Sequence, residues 1–469
     1  MRTESKKAAS FTSKGALFAV AAVAAGAALW TMPLPIPVQA KHALAVSAGV
    51  LLLWIGRPFP HAFAGMIGCY GFWALAGVPF ATAFSGFANP SAWFVFAAGL
   101  FGAITVKTRL ARRLAGWMIG RTGVSYPRLV LGFILTSFLL NFLVPSGIAR
   151  VIILAGVALG VVKSAGWGPE ALPARGLFVI LTVSSSLFDK LMITGGTSIL
   201  AQGIIEKVGQ TPVYWSRWLF AHVPTIALSI LACWGIVLWL FPARGETRRP
   251  FKVIRTGLGR EPWSPAEKRW TMFLGAAAAL WATDSIHHIP PAMVALGVAF
   301  AALLPRIGVM DVRELKEFDF FPFLFSASAL SLGETLMKTG ALDVVARAAG
   351  TWQPAAGGFL PSAAALYGTG LVYHLLVPSD PTTVATSLPA LMNLALAQGW
   401  SPLSVGLTWM LALTSKFFVY QSSVSIAGFS FGYFRPRDFL KVGLCVAICE
   451  FAVLVLLVAW YWPLIGLIP

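Results

Sequence analysis

The stretch Leu143-Val144-Pro145-Ser146 closes one apolar segment of this chain, and Leu376-Val377-Pro378-Ser379 closes another. The two copies lie 233 positions apart in a chain of 469 residues, and small or hydroxyl residues follow each of them. A proline inside an apolar helix removes a backbone donor and opens the helix. One such break in each half of a duplicated membrane unit is typical of the discontinuous helices that form midplane binding sites in secondary transporters.

The chain is too apolar and too weakly charged to be a soluble protein. Hydrophobic residues make up 58% of it and charged residues 11%, against roughly 25% charged residues in an average soluble domain. At about 20 apolar residues per crossing, we expect an all-α polytopic membrane protein with about eleven transmembrane helices. Further positions repeat at an offset of 231, since Phe94, Gly102 and Lys107 correspond to Phe325, Gly333 and Lys338.

The basic residues of the chain predict its orientation in the membrane. The formal net charge of +18 comes from short basic stretches beside apolar runs, which the positive-inside rule explains without nucleic acid. We therefore expect the N-terminus and the basic linker 242–269 in the cytoplasm, and the C-terminal stretch 463–469, which has no basic side chain, on the periplasmic or extracellular side. This requires about six crossings before the linker, including an extra first helix that lies outside the repeat, and about five after it. An odd number of crossings per repeat means that the two repeats are inverted.

The same signals divide the chain into four parts. They are the N-terminus with a first helix (1–41), a first inverted repeat (42–241), the cytoplasmic linker (242–269) and a second inverted repeat (270–469). An alternative for the start is a signal peptide with Val38-Gln39-Ala40 as its cleavage site.

Each repeat is expected to contain a re-entrant hairpin and then a helix that is broken at its Pro-Ser pair. We expect the hairpins at 92–105 and 320–337, where an apolar segment is too short to cross the membrane. The free amides after each break and the positive end of the new half-helix favour an anion. Two such ends that converge would hold a dianion. The alternative is a structural proline kink whose freed carbonyl is satisfied by the serine.

Polar residues within the apolar segments are further candidates for a site. The clusters 194–198 and 421–425 either coordinate a ligand or serve as small residues that pack helices. Asp380 is open to three roles: proton carrier, cation ligand or helix cap. Arg150 either neutralises a substrate carboxylate or extends away from it. We expect Asp189-Lys190 to form an interhelical or interfacial ion pair, and Glu334 to pair locally with Lys338 at i, i+4 spacing.

These residues resemble a known family. Pro145-Ser146-Gly147-Ile148-Ala149-Arg150 is similar to the Pro-Ser-Asn-Thr-Ala-Arg signature of the divalent anion:sodium symporter family, whose members carry citrate, succinate, malate, 2-oxoglutarate or sulfate. The segments 285–290, 338–342 and 432–443 also resemble family segments in the expected order. The resemblance implies an inverted repeat with two re-entrant hairpins, a homodimer, and an elevator-like displacement of a transport domain.

The resemblance also implies site residues. The family's two Ser-Asn-Thr loops correspond here to 146–148 and 379–381, where only the serines match. The sodium sites of the family also use hydroxyl residues one turn before each loop. The corresponding residues here are Phe142 and Leu375, so the resemblance leaves sodium coupling in doubt. The residues expected to bind substrate are Ser146, Gly147, Ile148, Thr197, Ser379, Asp380, Pro381, Thr382 and Ser423. Those expected around a coupling sodium ion or proton are Gly195, Gly196, Asp380 and Ser422.

The function expected from the sequence is secondary active transport rather than enzymatic catalysis. The substrate would be a small organic dianion, a C4 or C5 dicarboxylate or a citrate-like anion, moved by exchange or with Na⁺ or H⁺ across a bacterial inner membrane. We expect no metal site and no cofactor besides such an ion, and no nucleic-acid partner. The alternatives are a carrier for sulfate or another inorganic oxyanion, and a membrane scaffold that transports nothing.

Overall fold

The computed structural model of the chain describes residues 13–122, 125–144, 146–243, 262–344, 358–377 and 379–468, whose regular structure is entirely helical. Pro145, Pro378 and most of the basic linker lie outside these residues. The helices before the linker are α1 Ser13–Thr31, α2 Val38–Gly56, α3 His61–Ala74, α4 Pro90–Lys107, α5 Leu110–Thr122, α6 Tyr126–Leu143, α7 Gly147–Ala165, α8 Leu172–Leu191, α9 Gly196–Lys207 and α10 Trp215–Leu240. Those after it are α11 Pro265–Ala282, α12 Pro291–Leu303, α13 Phe321–Lys338, α14 Phe359–Leu376, α15 Asp380–Ala397, α16 Pro402–Ala412, α17 Ser423–Phe429 and α18 Pro436–Leu456.

The structure confirms an all-helical polytopic membrane protein. Within the described residues, eight helical segments are long and apolar enough to cross a membrane, and three shorter apolar helices accompany them. The span 172–207 joins α8 and α9 across a short interruption.

Helices α6 and α7 form a hairpin. They have 18 and 19 residues, so in one straight line their outer ends would lie about 55 Å apart. Instead the ring of Tyr126, at the start of α6, lies 6.0 Å from the ring of Trp167, just after α7. Val144 and Ser146 have extended backbone angles. The chain therefore reverses at this point, and Ser146 lies at the tip of the hairpin.

Helices α14 and α15 form a second hairpin of the same kind. The ring of Phe359, at the start of α14, lies 5.9 Å from the ring of Trp400, just after α15. Between the two arms, the Tyr373 hydroxyl donates a hydrogen bond of 2.9 Å to Thr386 Oγ1. Ser379 lies at the tip of this hairpin.

The positions of the hairpins correct the sequence-based expectation. The segments expected to be hairpins, 92–105 and 320–337, belong to single helices of 18 residues, α4 and α13. The segments expected to be broken helices are the hairpins, and the interrupted helices follow them as α8/α9 and α16/α17. A proline ends a helix, but it does not determine whether the next helix continues the axis or turns back.

The two hairpins enter from opposite sides. Gly176, near the start of α8, packs against the Tyr126 hydroxyl at the open end of the first hairpin, whereas Gly209, just after α9, packs against Pro402 and Met392 near the open end of the second. The interrupted helix α8/α9 thus connects the two open ends, with its interruption level with the tips. This antiparallel arrangement is what two inverted repeats require.

The remaining helices pack around this centre. Helix α3 packs on α13, and α4 packs on α12 and α13. Helix α9 lies against α4, α13 and the hairpin arm α15. The predicted pair Glu334–Lys338 is confirmed at 3.1 Å, and Lys207 at the end of α9 also approaches Glu334, at 3.4 Å.

Candidate functional site

The two hairpin tips border one cavity of about 520 Å³. All the predicted site residues line it except Gly195 and Thr382. Its other lining residues, which the sequence did not single out as cavity residues, are Arg57, His61, Val95, Ala98, Gly99, Asp189, Pro322 and Val424. The proposed substrate loops of the two repeats therefore face the same space.

The first tip presents a helix start to this cavity. Ser146 is the N-cap of α7, and its hydroxyl accepts a hydrogen bond of 3.3 Å from the Ala149 amide. Gly147 lies so close to α17 that a Cβ atom there would come within 2.6 Å of the Val424 side chain. The remaining free amides of the first turn and the positive end of the helix dipole favour an anion here.

The second tip repeats this arrangement with different side chains. Ser379 precedes α15 and accepts a hydrogen bond of 3.0 Å from Thr382 Oγ1. Thr382 therefore supports the tip from behind, which explains why it does not line the cavity itself. Asp380, the first residue of α15, is only 5% exposed.

One contact behind each tip follows the sequence repeat. Arg150 Nη1 donates to the Val144 carbonyl at 2.6 Å, and Thr383 Oγ1 donates to the Val377 carbonyl at 2.9 Å. Arg150 and Thr383 are 233 positions apart, as are the two carbonyls. In both repeats a side chain thus satisfies the carbonyl that the end of the helix leaves free.

Arg150 has neither of the roles expected for it. It is completely buried, and its Nη2 lies 3.2 Å from Asp189 Oδ1 and 2.7 Å from the Ser185 carbonyl. Gly195, in the interruption after α8, borders this pair: a Cβ atom there would lie 1.9 Å from Asp189 Oδ1. Gly195 therefore contributes space for the carboxylate rather than a wall of the cavity.

Asp380 joins two buried lysines. Lys190 Nζ lies 2.8 Å from its Oδ2, and Lys416 Nζ lies 2.5 Å from its Oδ1. His374 Nε2 is 3.2 Å from the same Oδ1. The expected neighbour pair Asp189-Lys190 is longer, at 3.8 Å. Asp380 therefore lies where it serves as the counter-ion of both lysines.

Lys416 was missed by sequence reasoning, although a lysine within an apolar segment is a functional candidate by default. Its exposure is only 4%. The buried charges beside the cavity are Arg150, Lys190 and Lys416 against Asp189 and Asp380. These three cations and two carboxylates leave an excess of one positive charge behind the hairpin tips.

Both lysines also reach the ends of interrupted helices. Lys190 Nζ donates to the Ser186 carbonyl at 2.8 Å in the last turns of α8, and Lys416 Nζ donates to the Leu413 carbonyl at the end of α16. The carboxyl end of a half-helix is the negative end of its dipole. Transporters with interrupted helices use such ends to coordinate a coupling cation, and here an ammonium group occupies each one.

Comparison with known proteins finds one protein family that matches nearly the whole chain. The family model for the sodium:sulfate symporter transmembrane region matches residues 13–468. A membrane protein of Cupriavidus necator is 26% identical over 95% of this chain and 92% of its own length. The citrate/succinate antiporter of Escherichia coli K12 is 22% identical over 82% and 80% of the two chains, and its L-tartrate/succinate antiporter is 24% identical over 92% and 94%.

Two solved structures share the fold at low sequence identity. The YdaH transporter of Alcanivorax borkumensis aligns with a TM-score of 0.60 and 13% identity over 97% of this chain and 99% of its own. MtrF of Neisseria gonorrhoeae aligns with a TM-score of 0.54 and 12% identity over 94% of both chains. These similarities concern the fold alone.

Proposed function

The chain belongs to the sodium:sulfate symporter family, the divalent anion:sodium symporters, and from this premise we propose that it exchanges small organic dianions across the membrane without sodium. The substrates are C4 or C5 dicarboxylates or citrate-like anions. They bind in the cavity between the two hairpin tips. The relatives named as citrate/succinate and L-tartrate/succinate antiporters support this substrate class and the exchange mode.

The observation that carries the proposal is the meeting of Ser146 and Ser379 in one cavity. Each serine immediately precedes a helix, and the free amides and positive dipole ends of the two helix starts favour the two carboxylates of a dianion. Thr197 and Ser423 line the same cavity and supply further hydroxyl donors. The positive charge that remains on the buried cluster adds long-range attraction for an anion.

The two lysines support the absence of sodium coupling. Their ammonium groups lie at the carboxyl ends of α8 and α16, the kind of position that holds a cation in transporters with interrupted helices. A fixed ammonium at each end supplies the positive charge that a bound ion would bring. Because the ammonium groups are covalently attached, they cannot leave with the substrate, and no ion gradient can drive transport through these two positions. Exchange of one dianion for another is then the simplest transport cycle.

We place the protein in a bacterial inner membrane as a homodimer, with the N-terminus in the cytoplasm, the C-terminus on the opposite side, and an elevator-like movement of the hairpins. Cysteine accessibility at the linker and at the C-terminus tests the orientation. Mass measurement in detergent tests the dimer.

The deciding experiment has a binding arm and a transport arm. Purified protein is heated with succinate, malate, 2-oxoglutarate, citrate, tartrate or sulfate, each with and without sodium, since a ligand that binds the folded state raises its melting temperature. Proteoliposomes loaded with the stabilising anion are then tested for uptake of the labelled anion. We expect stabilisation by an organic dianion and counterflow, both insensitive to sodium. Stabilisation by sulfate alone would favour the inorganic oxyanion carrier.

Substitution of each tip serine separates a carrier from a scaffold. Ser146→Ala and Ser379→Ala should each remove the ligand-induced rise in melting temperature while the protein stays folded. A scaffold would show no ligand effect in the unmodified protein. A requirement for sodium would overturn the role given to the lysines.

A further inference from the structure

Glu450 is a buried carboxyl group outside the anion site. It lies on α18, within a segment apolar enough to cross the membrane, and is only 2% exposed. The Ser229 hydroxyl of α10 donates to its Oε1 at 2.5 Å. Its Oε2 has no hydrogen-bond partner among the described residues, and no described cationic side chain forms an ion pair with it.

Among the described residues, the side chains around Glu450 are hydroxyls and thiols rather than cations. They are Ser229 and, one turn further along α10, Cys233; Tyr367 of α14, which bonds to the Ala447 carbonyl; and the adjacent Cys449 on α18. The nearest ion pair of α18, Asp438 with Arg175 of α8, lies at the other end of the helix. An unpaired carboxylate in hydrocarbon is costly, and one hydroxyl donor does not replace a counter-ion. The carboxyl group is therefore placed to take a proton from water rather than to carry a charge.

Glu450 is also connected to the anion site. Tyr367 donates to the Ala447 carbonyl at 2.9 Å, and its hydroxyl lies 3.4 Å from Ser415 Oγ, next to Lys416. Helix α18 lies directly on Lys416, since a Cβ atom at Gly443 would come within 1.9 Å of the Lys416 carbonyl. Glu450 is two turns further along the helix, about 10 Å from Gly443.

We propose that Glu450 is a proton-binding site in the membrane, and that its protonation controls the affinity of the anion site beside Lys416. When Glu450 loses its proton, its negative charge opposes a bound dianion, so affinity falls as pH rises. At an effective dielectric constant of about 20, a unit charge within about 20 Å of a dianion weakens its binding by at least about tenfold. The proton is the only co-reactant, and it comes from the aqueous phase.

The first test needs no substrate. Dicyclohexylcarbodiimide, an apolar reagent, reacts with protonated carboxyl groups in a membrane, and mass spectrometry of the labelled full-length protein in proteoliposomes identifies the residue. We expect labelling at Glu450 that persists above the ordinary pKa range of glutamate and decreases as the pH rises further, and none at the paired carboxylates Asp189 and Asp380. Absence of label at Glu450 just above that range overturns the proton site. This result is independent of the proposed substrate, so it also separates failure of this inference from failure of the proposed function.

The second test measures the link to the anion site. The dissociation constant of the stabilising dianion is measured between about pH 6.5 and about pH 8.5 in the unmodified protein and in Glu450→Gln, which can still accept the Ser229 hydrogen bond. We expect binding to weaken at least about tenfold over this range in the unmodified protein, and a flat profile in Glu450→Gln. Cys449→Ser, at the neighbouring position, should keep the slope. An unchanged slope in Glu450→Gln overturns the control of affinity, and the ionisation of the substrate itself is the same in every variant.

Discussion

Lys190 Nζ of the first repeat lies 2.8 Å from Asp380 Oδ2 of the second. Lys190 stands at the end of α8, just before its interruption, and Asp380 stands at the tip of the second hairpin. The other carboxylate oxygen of Asp380 holds Lys416, in the interruption between α16 and α17. One buried carboxylate thus connects a hairpin tip to both interrupted helices.

Asp380→Asn should strongly destabilise the protein. The substitution keeps the shape of the side chain but leaves two buried ammonium groups without their counter-charge. Removal of one partner of a buried ion pair typically costs about 3–5 kcal/mol. The melting temperature in detergent measures the loss. Asp319→Asn is the matched control, because Asp319 is exposed and accepts a hydrogen bond from the Phe321 amide. Equal melting temperatures for the two variants would contradict the role of Asp380 as counter-charge.

The pH profile of the same variant tests the alternative of Asp380 as proton carrier. If Glu450 is the group that binds the proton, Asp380→Asn should retain the pH dependence of anion binding. Binding is measured over the same pH range as for Glu450→Gln. Loss of pH dependence in Asp380→Asn alone would assign the proton to Asp380 and contradict the inference on Glu450.

Lys416→Gln should weaken binding of the dianion, whereas binding to the unmodified protein should not depend on sodium. A unit charge within about 8 Å of the ligand, at an effective dielectric constant of about 20, contributes about 2 kcal/mol, so we expect a dissociation constant at least about tenfold higher. Calorimetric titration of the stabilising anion, with sodium and with choline as cation, measures both effects.

The control for this substitution is Lys163→Gln, at an exposed lysine near the end of α7. This variant should bind the anion as the unmodified protein does. If Lys416→Gln bound with unchanged affinity, the buried cluster would be a structural feature with no effect on the ligand. A gain in affinity when sodium is added to Lys416→Gln would indicate that the ammonium group stands in the place of an ion.

Gly195→Ala should disrupt the pair between Arg150 and Asp189. The new methyl group would lie 1.9 Å from Asp189 Oδ1, so the carboxylate has to move. Overpacking of this kind typically costs about 1–3 kcal/mol. Gly196→Ala is the matched control, because nothing lies within 4 Å of a Cβ atom at that position. Thermal unfolding of both variants checks the prediction, which fails if Gly196→Ala is the less stable of the two.

The sequence predicted the class of fold and most of the cavity wall. Composition alone indicates a membrane protein, and the duplicated Pro-Ser pair indicates two matching tips. Ser146 and Ser379 were identified in this way, and they do line one cavity. These predictions depend on local properties of the chain: apolar length, loss of a backbone donor, and repetition at a fixed interval.

The sequence did not predict the partners of the buried charges. Asp380 and Lys416 are 36 positions apart, and Arg150 and Asp189 are 39 apart. Neither spacing is a helical one, so only the packing of the interrupted helices against the hairpins brings these groups together. The intervals between them carry no pattern that a sequence could show.

The location of the hairpins could not be predicted from the sequence either, because it too depends on how distant parts of the chain pack. Cross-linking can test the second hairpin. A helix that ends at a proline has the same local sequence whether the next helix continues or returns. The two possibilities differ at the distant ends: Phe359 and Trp400 rings are 5.9 Å apart in the hairpin, but a straight broken helix would separate these residues by about 60 Å. Phe359→Cys combined with Trp400→Cys should therefore be joined by a short bismaleimide, as measured by mass spectrometry of a peptide digest. Phe359→Cys combined with Leu376→Cys, at the other end of α14, should stay unlinked. Failure of the first pair to link would favour the straight broken helix and remove Ser379 from a hairpin tip, because the second pair is equally far apart in both arrangements and controls for the reach of the reagent.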